Sequence, residues 1–194
     1  MPSLHDAERE TYQTIWGGVS DYATTAPGER FLPLFLHVTG STRGTVLDAG
    51  TGSGKGAVAL RQAGFQVTLC DLTDEGLVPE AQTLPFKTAC LWQSLKAFAP
   101  LLGRKWDWVY CTDVLEHIPP QFTMLVISRL LEVARKGVFL TVSVEPDVFG
   151  LWIGRPLHQT VQPYEWWKTS LSEVGEVIDA RDLLNAAMFV VRRR

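Results

Sequence analysis

The sequence predicts an α/β fold: a mostly parallel sheet with helices on both faces and an antiparallel hairpin at the end. Three observations carry this. Short runs rich in Val, Leu and aromatic residues alternate with segments whose apolar residues recur at helical spacing. A glycine-rich turn over 50–56 joins the first such run to a helix-forming segment. The last two runs, 177–180 and 186–191, leave no room for a helix between them and pair as a hairpin.

The elements follow in order. Ser3 and Asp6 resemble a capping box and predict a helix from about Leu4 to Trp16, stopped by Gly17 and Gly18. The apolar stretch 31–38, with Pro33 near its start, completes an N-terminal helical cap over 1–40. Strand one is 45–49. The helix 55–63 follows and stops at Gly64. Gln66-Val67-Thr68-Leu69-Cys70 reads as strand two, ending at Asp71. The region 73–80 holds Gly76 and Pro79, so any helix there is short. Strand three is predicted at 88–92 and strand four at 107–112. Pro119-Pro120 opens a helix in which Phe122, Val126, Leu130 and Val133 share a face, closed by Lys136-Gly137. Strand five is 138–144. An insert over 145–163 precedes a helix from Pro163 to Val174, with Gly175 after it. There is no repeat and no linker, so residues 1–194 read as a single domain.

Composition narrows the class. Hydrophobic residues make up 46% and charged residues 20%, which is ordinary globular usage. No run of 18 or more apolar residues suits a membrane span, and the first residues lack a basic-then-apolar signal pattern. Cys70, Cys90 and Cys111 have no zinc-ligand spacing; reduced, buried thiols in a cytoplasmic protein are expected. A net charge of −3 argues against a broad nucleic-acid surface. Oligomeric state is not legible.

The informative segment is Val46-Leu47-Asp48-Ala49-Gly50-Thr51-Gly52-Ser53-Gly54-Lys55-Gly56. A strand, a glycine turn and a helix start make a nucleotide cradle, because glycine admits close approach and the helix N-terminus offers free N–H groups. A P-loop fails twice: Ala49 stands where its first glycine belongs, and Gly56 where Ser or Thr holds magnesium. The dinucleotide pattern is met only loosely, by Gly52, Gly54 and Ala57. The pattern D-x-G-x-G-x-G is met in full by Asp48, Gly50, Gly52 and Gly54.

That pattern resembles the first motif of class I S-adenosylmethionine-dependent methyltransferases. Asp113-Val114-Leu115-Glu116-His117-Ile118-Pro119, at the end of strand four, resembles their D-V-L-E-H-hydrophobic-P loop. The resemblance covers roughly 44–145 with specific motifs. It implies a Rossmann-like three-layer sandwich with a mostly parallel seven-stranded sheet, order 3-2-1-4-5-7-6, and a C-terminal antiparallel hairpin. It also implies S-adenosylmethionine as cofactor. Asp48, Gly50, Thr51, Gly52 and Gly54 would hold its methionine end and ribose. Asp71, with Leu72 beside it, would accept the ribose hydroxyls. Leu91 and Trp92 would lie at the adenine, and Asp113 near the ammonium group.

A hydroxyl acceptor also needs a proton acceptor, and histidine suits that role at neutral pH. His117 and His158 both fall on the substrate side of such a sheet and are the candidate bases. The spacing D-x-x-E-H resembles the E-x-x-E-H of metal-binding O-methyltransferases, but Asp113 shortens one ligand; no metal is expected, and Glu116 and His117 are expected to fix the loop. Aromatics cluster in two segments: Tyr12, Trp16 and Tyr22, then Trp152, Tyr164, Trp166 and Trp167. They predict a lid formed by 1–24 and 145–163. The expected activity is methyl transfer to a hydroxyl or amine of a small molecule, sugar or nucleotide. A non-catalytic cofactor-binding module and an aminopropyltransferase-like enzyme remain alternatives.

Overall fold

The computed structural model describes residues 4–18 and 27–194. The expectations that rest on Ser3, on Tyr22 and on positions 1–3 and 19–24 of the lid lie outside these residues. Two helices, α1 (Leu4–Gly18) and α2 (Pro27–Thr39), precede the sheet. The alternation follows: β1 (Gly44–Ala49), α3 (Lys55–Gln62), β2 (Phe65–Asp71), β3 (Phe86–Thr88), α4 (Leu95–Phe98), β4 (Trp106–Thr112), α5 (Thr123–Val133) and β5 (Ala134–Ser143). Helix α6 (Tyr164–Val174) and the strands β6 (Glu176–Asp182) and β7 (Ala186–Arg192) complete the fold. The sheet order is β3-β2-β1-β4-β5-β7-β6, with β7 antiparallel to both β5 and β6 and every other pair parallel.

Strand alternation splits the core between two faces. Val46, Trp108, Tyr110, Phe139 and Met188 point to the side covered by α2 and α3. Leu47, Val109, Cys111, Leu140 and Phe189 point to the side covered by α5 and α6. The central strands are therefore apolar at nearly every position, as a sheet buried on both faces demands. Phe35 of α2 anchors the first layer. Its ring meets those of Phe65, Trp108, Tyr110 and Phe139 at 5.6, 6.0, 5.2 and 5.4 Å. Trp167, Tyr164 and Leu171 of α6 serve the second; Tyr164 stacks on Phe189 at 5.5 Å.

Two predicted boundaries are corrected. β3 occupies Phe86–Thr88 rather than 88–92. Its last pair is Thr88 with Asp71, where β2 ends, so later residues have no strand to join. The Leu91 and Gln93 carbonyls instead accept the Arg129 guanidinium, at 2.9 and 2.7 Å. β5 begins at Ala134, before the expected helix stop at Lys136-Gly137. Ala134 pairs with Trp106, and a register shift between Trp106 and Trp108 absorbs the early start. No described helix is long and apolar enough to cross a membrane.

Candidate functional site

A cleft of about 450 Å³ opens at the carboxyl ends of β1, β2 and β4. In an open α/β sheet this is where ligands bind. Its floor is the glycine turn. The Gly50 and Thr51 N–H groups donate to the Cys70 carbonyl at 2.8 and 3.1 Å, which ties the turn to the end of β2. Gly50 has φ 75°, and a Cβ there would come within 2.4 Å of Val114. The Thr51 hydroxyl donates to Asp48 at 2.6 Å. Asp71 accepts the Gly52 N–H at 2.8 Å and the Leu72 N–H at 2.7 Å, one on each carboxylate oxygen.

Burial dominates the electrostatics of this floor. It pushes the Asp48 carboxyl up to about 7; the Thr51 hydroxyl works against the shift and the nearby Asp71 charge adds to it. Burial pushes Asp71 up to about 6, opposed by its two backbone N–H donors.

The opposite wall comes from the loop after β4 and from the insert. Asp113 has φ 52°; its N–H donates to the Thr141 carbonyl at 3.0 Å and its carboxylate accepts the Thr141 hydroxyl at 3.3 Å. Glu116 is fully buried. Its Oε1 accepts the Ser143 N–H at 2.7 Å, while Oε2 has no partner. Burial drives this carboxyl well above its usual range, and the nearby Asp113 adds to the shift. The Glu116 carbonyl accepts the Gln159 and Thr160 N–H groups at 2.6 and 2.9 Å, joining this loop to the insert. His117 Nδ1 is buried without a partner. Burial pushes His117 down to about 3, helped by its neighbour His158. The two imidazoles meet edge to face at 4.8 Å. His158 Nδ1 lies 2.7 Å from the Glu145 carbonyl, an acceptor. This contact assigns the proton to Nδ1 and leaves the lone pair on Nε2. Asp147 holds the His158 backbone in place, accepting the Leu157 and His158 N–H groups at 2.7 and 3.1 Å.

The expected residues Asp48, Gly50, Thr51, Gly52, Asp71, Leu72, Leu91, Trp92, Asp113, His117 and His158 all line this one cleft. Gly54 does not. It stands at the N-terminus of α3 with φ 75°, where a Cβ would strike Ala81 at 2.4 Å, so its task is packing. Trp92 lines the cleft and also stacks on Phe122 at 5.2 Å.

The aromatic lid divides. Tyr12 and Trp16 line the cleft, and the Trp16 ring sits over Gly52 and Gly76. Trp152 is 74% exposed, whereas Tyr164, Trp166 and Trp167 pack in or against the core below α6. Those four do not line the cleft.

Glu8 was not anticipated. It is 5% exposed, lines the cleft, and contacts Arg155 and Gln159 at 3.4 Å each. The available signal was its place on α1: Glu8, Tyr12 and Trp16 follow at four-residue spacing and share a face. Glu116, His117 and His158 each offer a donor atom, all within 4.8 Å of one another, a spacing from which a divalent cation is reachable by side-chain adjustment.

A family profile described as a methyltransferase domain matches residues 23–187. The chain is 32% identical over 111 residues to magnesium-protoporphyrin O-methyltransferase of Synechocystis. That match covers 56% of this chain and 47% of the relative, about half its length. Among solved structures, the fold is similar to the 1,6-didemethyltoxoflavin-N1-methyltransferase of Burkholderia thailandensis with bound S-adenosylhomocysteine. The TM-score is 0.69 and the identity 17%, covering 100% of this chain and 92% of that one. It is also similar to the Synechocystis magnesium protoporphyrin IX methyltransferase with bound S-adenosylmethionine, with TM-score 0.60 and 21% identity over 99% and 85% of the two chains.

Proposed function

The chain belongs to the methyltransferase-domain family and has the fold of class I S-adenosylmethionine-dependent methyltransferases, and from that premise we propose that it methylates a hydroxyl or amine of a small molecule, with His158 as the proton acceptor. The observation that carries this reading is one cleft with a cofactor wall, Asp48 to Asp71, facing a wall that presents His158 Nε2.

When bound, S-adenosylmethionine supplies a methyl group already activated by its sulfonium. The residues fit it. The glycine turn leaves no side chain between backbone and ligand at Gly50 and Gly52. The Asp71 carboxylate spends one lone pair per oxygen on backbone N–H groups and keeps others for a diol. Tyr12 and Trp16 cover the turn and exclude water. The protein's remaining task is alignment and proton removal. His117, held near 3 and buried, is a weak base at neutral pH; its imidazole positions its neighbour. His158 keeps an open lone pair, a backbone anchor and access to the cleft. A cytoplasmic setting is supported by three free, buried cysteines.

One observation favours a second reading of the same wall. Glu116 Oε2 and His117 Nδ1 are buried and unpartnered, and with His158 they offer a ligand set for a divalent cation. We favour the metal-free reading because Asp113, which stands where the metal-binding spacing has a longer Glu, does not join the three side chains that reach one another. Transfer of labelled methyl from S-adenosylmethionine to an acceptor panel, with and without EDTA, tests both. Turnover that survives EDTA is expected. Turnover abolished by EDTA and restored by a divalent ion would promote the second reading. Binding of NADH with no response to S-adenosylhomocysteine would overturn the methyltransferase reading itself.

A further inference from the structure

Among the described residues, the cleft has carboxylates on every wall and no lysine or arginine. Glu8 comes from α1, Asp48 and Asp71 from the cofactor wall, and Asp113, Glu145 and Asp147 from the acceptor wall. Two cations stand just behind this lining: Arg155, 3.4 Å from Glu8, and Arg30, whose charge reaches Asp113. They leave the sum negative. The exposed Glu145 side chain has no hydrogen bond or ion pair among the described contacts.

An independent observation lies at the other end of the sheet. Arg43 precedes β1, Arg104 and Lys105 precede β4, Arg135 and Lys136 lie at the start of β5, and the run 192–194 closes β7. Because β1, β4 and β5 are parallel and β7 runs against them, all of these exposed cations meet at the edge opposite the cleft. Asp107, Glu132, Glu173 and Glu176 are the carboxylates among them. The chain is thus polarised along its strands, with its negative pole at the cleft. Such a field raises the local concentration of cations at the mouth and repels anions.

We infer that the acceptor is a positively charged small molecule, a basic amine, and that the cleft rejects acceptors bearing carboxylate or phosphate. This rests on the methyltransferase reading and narrows its acceptor class. An anionic acceptor would enter against the field and find no cationic side chain lining the cleft, whereas an ammonium group would meet the exposed Glu145 at the mouth and the buried Glu8 inside.

The test uses the full chain loaded with S-adenosylhomocysteine. Several small aromatic frameworks are each presented as primary amine, alcohol and carboxylate, and binding is measured by calorimetry and ligand-observed NMR. The expected order is amine, then alcohol, then carboxylate. The gap between amine and carboxylate should be about tenfold or more and should shrink as salt rises. Glu8→Gln and Glu145→Gln should each narrow the gap. Carboxylates binding as well as amines, a gap indifferent to salt and to both substitutions, or no amine binding at all would overturn the inference. Loss of S-adenosylhomocysteine binding by the unaltered protein would instead strike the methyltransferase reading.

Discussion

At the residue scale, the proposed function gives Asp71 and His158 separable tasks on opposite walls. Asp71→Ala should weaken S-adenosylhomocysteine binding by about 1–3 kcal/mol, because a charged acceptor is lost. His158→Gln should leave that affinity intact and lower kcat by about 10²- to 10⁴-fold, the usual size of a general-base contribution. Calorimetry and steady-state rates check the pair; an equal loss of cofactor affinity in both would mean that His158 only supports the pocket. Asp48 allows a test by pH. Its folded value, about 7, is raised above the ordinary 3.8 by burial, so its stabilising neutral form is fully present below 3.8 and is lost as pH rises towards 7. His117 has the opposite sign, being lowered to about 3 from 6.5, so its contribution is present above 6.5 and lost on acidification. The two slopes oppose each other across the shared interval. Asp48→Asn removes the first, so the ligand-free variant should gain stability over wild type from about pH 4 to 7 and plateau above. Urea unfolding at pH 4.5 and 8 measures this, and a pH-independent difference would refute the assignment. Most of these residues were legible because a motif names them. Glu8 was not, since an acid among helix residues looks like a solvated one until the fold turns that face inward.

At the element scale, legibility tracked how much of an element is specified locally. The central strands are short apolar runs bounded by glycine and charge, and their positions were readable. β3 was misplaced because Leu91 and Trp92 look like strand residues, yet their surroundings come from Arg129 and Phe122, more than 25 residues away. The start of β5 was misread because Lys136-Gly137 resembles a helix stop, while pairing to β4 and β7 keeps the chain extended through it. The glycine turn is the opposite case, with local and tertiary demands in agreement. Gly50 sits at φ 75° with Val114 against its open side, so Gly50→Ala is both strained and crowded. It should cost about 1–2 kcal/mol from backbone strain alone, and more from the clash. Loss of S-adenosylhomocysteine affinity should accompany the loss of stability. A Gly50→Ala protein that binds and unfolds like wild type would show that the turn readily relaxes around a methyl group.

At the scale of the whole molecule, the sheet order was readable from motif resemblance, whereas the way the outer segments close the cleft was not. The two-faced core makes β1, β4, β5 and β7 the rigid centre. The cover is held differently. In α1 only Glu8 and Ile15 are buried among the described side chains, and the helix meets the insert through Glu8, Thr11, Arg155 and Gln159. The insert leaves Val148, Leu151 and Trp152 largely exposed. Segments with so little apolar burial open at lower free energy than the core, and a ligand that contacts both stabilises both. Hydrogen exchange should therefore show that residues 4–18 and 145–163 exchange fastest among the described elements without ligand and gain protection together when S-adenosylhomocysteine binds. The shared contact from Glu8 to Arg155 predicts the coupling: Arg155→Ala should let the insert gain protection while α1 lags behind. Equal protection of both segments in the free and bound states would mean that Tyr12 and Trp16 are fixed wall rather than a ligand-gated cover, and that the acceptor enters a cleft already closed.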